Sequence, residues 1–190
     1  MIFAVAICLG LAIGFACEGR LSNLSRVRIG GEAMLIALLF AQALLPLALA
    51  VGLSGAWLFW LQFAAMAACG LIAGINWRQP GMAAVAVGVG LNAIVVFLNT
   101  GMPVSIEAAA ELRQSTQSWV PQSTDAMHVA SKLQTRAPWL ADVLPVPGFL
   151  NSVVSPGDIL MLAGAAAFVS GHMLRDKADT ADRAGHGASK

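Results

Sequence analysis

Five long apolar runs divide the chain, and each is nearly free of charged residues. The runs cover residues 1–17, 33–53, 56–75, 81–98 and 159–174. A helix of about 20 mostly apolar residues can cross the roughly 30 Å hydrocarbon layer of a bilayer. The pattern therefore predicts an all-α integral membrane protein, a bundle of about five transmembrane helices with a partly helical extracytoplasmic cap.

The predicted spans divide the chain into four parts. Residues 1–98 hold four transmembrane helices, residues 99–157 form the cap, residues 158–174 form the fifth helix, and residues 175–190 form a cytoplasmic tail. The tail is short, charged and rich in Gly, Ala and Ser, a composition typical of disorder. Because the cap is the longest stretch outside the spans, we expect the specific chemistry of the protein there.

The basic residues predict which way the bundle is oriented. Cytoplasmic loops of membrane proteins carry an excess of Lys and Arg. An orientation with the N-terminus outside and the C-terminus inside places eight basic residues in cytoplasmic loops and three in the longer external segment. The eight are Arg20, Arg26, Arg28, Arg78, Arg175, Lys177, Arg183 and Lys190, and the three are Arg113, Lys132 and Arg136.

Composition supports a membrane protein and argues against other classes. The chain is 58% apolar and 11% charged, against about 45–50% and about 25% in ordinary soluble domains. The lipid bilayer is therefore an expected partner. A net charge of +1 leaves no basic excess for nucleic acid. The three cysteines lie in or at the end of apolar runs without CxxC spacing, so we expect no metal site and no cofactor.

The cap is predicted to open with a turn and a short helix. Asn99 begins the turn, where its side chain can cap the last carbonyls of the preceding helix. Ser105 is a suitable N-cap for a helix over residues 106–112. A second helix is predicted to begin at residues 123–125, because Ala126, Val129, Ala130 and Leu133 share one helical face. Trp119 and Trp139 are predicted to anchor these helices at the membrane surface.

The entry to the last span has two features. Pro145 and Pro147 forbid regular helix and predict an extended approach. Ser155 is predicted to be the N-cap of the last helix, with Pro156 at the first position and Asp158 at the third. Capping alone explains Asp158, and a functional role for this carboxylate is the alternative.

Several of these motifs together resemble a known group. They are Asn99-x-Gly101-Met102-Pro103-Val104, His128, the run 140–145, and Ser155-Pro156-Gly157-Asp158. The chain resembles an uncharacterised bacterial family of small multispanning membrane proteins, defined by a domain of unknown function, over essentially its whole length. The resemblance implies a multi-pass protein of the bacterial cytoplasmic membrane and supplies no activity. The candidate site in the outer cap consists of Asn99, Gly101, Met102, Pro103, His128, Asp142, Ser155 and Asp158.

A weaker likeness points to chemistry. Lipoprotein signal peptidases are small helical bundles with two catalytic aspartates near the outer membrane surface, and Asn99-Thr100-Gly101 with Asp158 resembles part of their pattern. Their Gly-Asn-x-x-Asp-Arg motif is missing, so only Asp142 can supply a second carboxylate. Two carboxylates couple strongly only within about 4–6 Å.

Two functions follow from these residues. One is a non-enzymatic accessory subunit or sensor whose outer cap binds a membrane protein or a second copy of the chain. The alternative is an intramembrane aspartyl hydrolase that uses Asp142 and Asp158. His128 is also a possible metal or haem ligand with Met102 or Met127, although an isolated histidine is more often a solvated surface group.

Overall fold

A computed structural model describes residues 2–50, 56–113, 128–148 and 150–175. The fold is mostly helical, as predicted. The α-helices are α1 (Ile2–Ala16), α2 (Glu32–Ala50), α3 (Ala56–Ile75), α4 (Met82–Asn99), α5 (Ile106–Arg113) and α6 (Pro156–Met173). The five longest coincide with the five apolar runs to within a few residues. Two of them, α3 and α4, contain segments long and apolar enough to cross a membrane.

The long helices pack in the order α1, α6, α4, α3, α2. Between α4 and α6 the backbones touch, because glycines remove the side chains from the contact. A Cβ on Gly88 would lie 2.5 Å from the carbonyl oxygen of Gly157, and one on Gly164 would lie 2.6 Å from that of Gly81. The residue numbers rise on one helix as they fall on the other. These two helices are therefore antiparallel.

In contrast, α1 runs parallel to α6. A Cβ on Gly10 would lie 2.7 Å from the carbonyl oxygen of Ala166, and Gly14 lies against Met173. Small residues of this kind let helices approach closely where both are surrounded by lipid. The glycines at these contacts are thus used for packing inside the bundle.

The remaining helices alternate in direction. Helix α3 is antiparallel to α4, because Phe63 near its start contacts the Phe97 ring near the end of α4, whereas Gly70 lies against Val89. The start of α2 lies against the end of α3, where Gly31 approaches Ile72. All five directions are consistent with a chain that passes back and forth.

The described part of the segment between α4 and α6 contains four short strands, which correct the all-α prediction. Strand β1 (Met102–Val104) pairs in parallel with β2 (His128–Ala130), and β3 (Leu144–Val146) pairs antiparallel with β4 (Ser152–Val154). The predicted second helix is wrong at residues 128–130, where the backbone pairs with the buried β1 instead. The extended approach to α6 is confirmed and takes the form of this hairpin. The predicted start of the second helix at 123–125, Trp119 and the tail from residue 176 lie outside the described residues.

Candidate functional site in the cap

The start of α6 is fixed by a reciprocal pair of hydrogen bonds. The Asp158 backbone N–H donates to Ser155 Oγ over 3.0 Å, and the Ser155 N–H donates to Asp158 Oδ2 over 3.0 Å. This arrangement satisfies two backbone donors at the helix N-terminus. Pro156 occupies the first turn, where its missing N–H is not needed. The predicted capping role of Ser155 and Asp158 is confirmed.

Asn92 on α4 completes this cluster. Its Nδ2 donates to Asp158 Oδ1 over 2.8 Å, and the Ser155 hydroxyl donates to Asn92 Oδ1 over 3.0 Å. Gly157 permits the contact, since a Cβ there would overlap the Asn92 amide. Both oxygens of Asp158 therefore accept structural hydrogen bonds, and the carboxylate connects α4 to α6.

Asn99 connects the end of α4 to the cap. Its Nδ2 donates to the Val95 carbonyl over 2.9 Å, which confirms the predicted capping of the helix. The same amide also makes two hydrogen bonds to the backbone of Arg136. Its Nδ2 donates to the Arg136 carbonyl over 2.9 Å, and its Oδ1 accepts from the Arg136 N–H over 2.8 Å. A carboxamide can replace a strand partner in this way because it has a donor and an acceptor side by side. Asn99 thereby holds the loop after β2 against the bundle.

Asp142 lies at the centre of the cap. Its backbone N–H donates to the Pro103 carbonyl over 3.0 Å, and its carbonyl accepts from the Ser105 N–H over 2.8 Å. The residue is 4% exposed. Its Oδ2 lies 3.6 Å from Nε2 of the half-exposed His128, so the two form an ion pair whenever the imidazole is protonated. His128 and Asp142 are thus brought together from β2 and from the segment beside β1.

The two candidate carboxylates occupy the same region but have separate partners. The Val143 N–H donates to the Val154 carbonyl over 3.3 Å, which brings the chain at Asp142 alongside the entry to α6. Among the residues that the structure describes, no hydrogen bond joins Asp142 to Asp158. The first pairs with His128 and the second with Asn92 and Ser155. This geometry gives the hydrolase alternative no support.

The other motif residues form a core. Met102 is 5% exposed and packs with Val95, Val96, Leu140 and Ala141. Pro103 is fully buried, and the Gly101 N–H donates to the Val96 carbonyl over 3.0 Å. Gly101, Met102 and Pro103 therefore attach the cap to the end of α4.

The described part of the chain contains no set of ligands for a metal centre. No group of three or more His, Cys, Asp or Glu side chains lies close enough there to hold an ion. The His128–Asp142 pair supplies only two such groups. Of the two methionines considered as partners of His128 in a metal or haem site, Met102 is buried in the apolar core, and Met127 lies outside the described residues.

Sequence reasoning missed a second polar structure at the opposite end of the bundle. Residues 17–31, here called the strap, link α1 to α2 and cross beneath α6 and the α3–α4 turn. The Arg20 N–H and the Asn23 Nδ2 both donate to the Met173 carbonyl, at 2.9 and 3.0 Å. Asn23 is only 4% exposed. These bonds fasten the first half of the strap to the end of α6.

The second half of the strap is fastened by two carboxamides of the α3–α4 turn. Asn76 accepts from the Gly30 N–H over 2.8 Å and donates to the Gly30 carbonyl over 2.9 Å. Gln79 donates to the Arg28 carbonyl over 2.8 Å, and its Oε1 lies 3.2 Å from Nε2 of His172. The sequence marks residues 76–80 only as a polar turn. The one available signal was that a carboxamide at the end of an apolar helix needs partners within the protein.

Comparison with known proteins identifies the family. Residues 26–170 match DUF5317, a family of unknown function. The match spans most of the chain, from the strap to the last turns of α6, so the chain belongs to this family. The resemblance to an uncharacterised domain family is confirmed. No curated protein and no solved structure matches the chain.

Proposed function

We propose that this member of DUF5317 is a non-enzymatic membrane protein, an accessory subunit or sensor, that binds a membrane-protein partner or a second copy of itself through its outer cap. The chain crosses the bacterial cytoplasmic membrane five times, with the N-terminus and residues 99–157 outside and the C-terminus in the cytoplasm. The exposed apolar side chains of the cap carry the proposal. Each part of it rests on a separate observation.

The outward faces of the long helices support insertion in lipid. Only 22% of the residues in the span Trp57–Ile75 and 28% of those in the span Met82–Asn99 are buried, whereas the core helix of a soluble protein is mostly buried. Large apolar side chains that are at least half exposed occur along α1 to α4: Phe3, Phe15, Phe40, Trp60, Leu71 and Phe97. A soluble monomer rarely exposes so much apolar surface.

The helix directions and the arginines support five spans and the stated orientation. The alternating directions put the strap, the α3–α4 turn and the end of α6 at one end of the bundle. Five exposed arginines lie there, Arg20, Arg26, Arg28, Arg78 and Arg175. An excess of positive charge marks the cytoplasmic side. The cap then faces outward.

The cap itself supports binding without chemistry. Asp158, Asn99 and Ser155 are engaged in hydrogen bonds that hold the fold together. Meanwhile Leu133 is fully exposed and Trp139 is 68% exposed. Tryptophan is enriched among the residues that contribute most to binding at protein interfaces. The cap is therefore built as a platform and not as a reaction centre.

Cysteine labelling tests the topology. In a variant with Cys8, Cys17 and Cys69 replaced by serine, a single Lys132→Cys should react with an impermeant maleimide in intact cells. A single Ser25→Cys in the strap should react only after the membrane is permeabilised. The reverse pattern would overturn the orientation, and reaction of both in intact cells would overturn the five-span arrangement.

Photo-crosslinking tests the partner. A photoreactive amino acid at position 133 or 139 should give a discrete protein adduct in intact cells, because these side chains protrude from the cap. The matched control is position 71, which faces lipid and should give none. Co-expression of two differently tagged copies identifies an adduct with a second copy. The absence of any protein adduct from both cap positions would refute binding through this surface.

A further inference from the structure

We infer that the strap face binds the headgroup of an anionic phospholipid at Arg28 and Arg78. The face consists of the strap, the turn at residues 76–81 and the end of α6. The inference extends the proposed function, since it requires this end to lie at a membrane surface. The ligand binds at the end of the bundle opposite the cap.

The charge of the face is strongly one-sided. Among the residues that the structure describes at this end, five arginines are exposed, and the acidic side chains are Glu18 and Glu32. The backbone at Arg28 lies close to that at Arg78, because Gln79 follows Arg78 in the chain and donates to the Arg28 carbonyl over 2.8 Å. Guanidinium groups bind phosphate oxygens in a bidentate manner, which makes arginine well suited to a phosphodiester.

The backbone beneath these arginines is fixed in advance. Gln79 also donates to Asn76 Oδ1 over 3.0 Å, and Asn76 holds Gly30 through both its N–H and its carbonyl. Asn76 is buried. A ligand that binds here needs to order only the arginine side chains and not the loops that carry them, which reduces the entropy lost on binding.

The surroundings select a lipid over a soluble anion. Trp77 is 59% exposed and Ile75 is 58% exposed, and both lie within three residues of Arg78 along the chain. The Arg78 guanidinium lies 5.4 Å from the centre of the Trp77 ring, a cation–π distance. The site therefore offers cationic groups for a phosphate directly beside apolar surface for an acyl chain. Tryptophan is the side chain most typical of the headgroup region.

The test is thermal unfolding of the purified full-length chain in detergent, titrated with phosphatidylglycerol or phosphatidylcholine. We expect phosphatidylglycerol to raise the unfolding temperature at lower concentration than phosphatidylcholine. In Arg28→Gln/Arg78→Gln the apparent affinity for phosphatidylglycerol should fall about thirty-fold, since each arginine near a membrane surface contributes about 1 kcal/mol. The matched control, Lys132→Gln/Arg136→Gln in the cap, should behave as the native chain.

Each other result would overturn the inference. Equal responses to the two lipids would remove the charge selectivity, and this comparison needs no variant. An unchanged affinity in Arg28→Gln/Arg78→Gln would move the site elsewhere. A stabilisation by inorganic phosphate as large as that by phosphatidylglycerol would identify a free anion as the ligand. Failure of the proposed topology is seen separately, in the labelling of Ser25→Cys, because binding in detergent does not depend on orientation.

Discussion

The two ends of the bundle are held together by different kinds of hydrogen bond. In the cap many bonds join backbone to backbone, in the pairs β1–β2 and β3–β4, or are local caps such as Ser155 with Asp158. The carboxamides of Asn92 and Asn99 add bonds to Asp158 and to the Arg136 backbone. At the strap, apart from the backbone bond from the Arg20 N–H to the Met173 carbonyl, the bonds to distant segments run from carboxamide side chains to backbone. Asn76 reaches Gly30, 46 residues away, and Asn23 reaches Met173, 150 residues away.

This difference determines how each end can be disrupted. A backbone bond survives the substitution of its side chain, so single changes in the strands leave most of the cap in place. A side-chain bond is lost entirely with its residue, and the backbone groups that it satisfied are left without a partner. We therefore expect the strap to be more sensitive to single substitutions than the strands of the cap.

The largest effect is expected for Asn76→Ala. The side chain makes hydrogen bonds to Gly30, Ile72 and Gln79. Its loss should lower the free energy of unfolding in detergent by about 2–4 kcal/mol, since each bond contributes about 0.5–1.5 kcal/mol. Trypsin should then cut the strap at its arginines much faster, while cleavage at Lys132 and Arg136 in the cap should stay unchanged.

The control for Asn76→Ala is Ser25→Ala, which removes only a local, exposed bond to the Ser22 carbonyl in the same strap. It should change stability by less than about 0.5 kcal/mol. If the strap resists trypsin equally well in both variants, the carboxamides do not hold it in place. If Asn76→Ala exposes the cap to trypsin as well, the two ends are not independent.

A smaller effect, but at both ends, is expected for Gly88→Ala. The new Cβ would lie 2.5 Å from the Gly157 carbonyl oxygen and 2.8 Å from Met161 Cγ, so α4 and α6 must separate. Overpacking of this kind typically costs about 1–3 kcal/mol. Because α4 and α6 extend from the cap to the strap, tryptic cleavage should increase in both.

Gly90→Ala is the matched control on the same helix. A Cβ at Gly90 would meet nothing within 4 Å, and alanine favours helix over glycine by up to about 1 kcal/mol. Gly90→Ala should therefore be neutral or slightly stabilising in thermal unfolding. Equal destabilisation by the two substitutions would mean that helix flexibility, and not the contact with Gly157, explains the role of Gly88.

The sequence predicted the features that depend on neighbours in the chain. The apolar runs located all five long helices, and Ser155, Pro156 and Asp158 located the start of α6, because helix spans and caps are local. It failed at His128–Ala130, where helical spacing predicted a helix. A parallel pairing with Met102–Val104 depends on a segment 26 positions earlier, and no local pattern contains that information.

The candidate site was predicted in part for the same reason. The prediction that Asn99 caps the end of α4 is confirmed, but its bonds to Arg136 depend on a distant loop. Met102 and Pro103 belong to a recognisable motif, and only the tertiary structure shows that they are buried. For the strap, Asn76 and Gln79 appear in the sequence as ordinary turn residues, because their partners are backbone groups that carry no sequence signal.

Within the cap, Asp142→Asn should have a moderate and local effect. The substitution keeps the backbone bonds to Pro103 and Ser105 and removes the charge that faces His128 at 3.6 Å. We expect a loss of about 1 kcal/mol and faster tryptic cleavage at Lys132 and Arg136, with the strap unaffected. A loss above about 3 kcal/mol would show that this end also depends on a single side chain.

The smallest effect is expected for Asp158→Asn, and it separates a structural carboxylate from a catalytic one. Asparagine caps a helix about as well as aspartate, and the lost interaction with the helix dipole is worth about 0.3–1 kcal/mol. The oxygen of the new amide at position 158 can still accept from the Ser155 N–H. If the Asn92 amide rotates, its Oδ1 can accept from the new NH2 group at position 158, which replaces the present bond from Asn92 Nδ2. Asp158→Ala removes these bonds altogether and should cost about 1–3 kcal/mol more. If thermal unfolding shows equal losses for both variants, the carboxylate charge and not the cap is essential, and the case for a functional acid at Asp158 reopens.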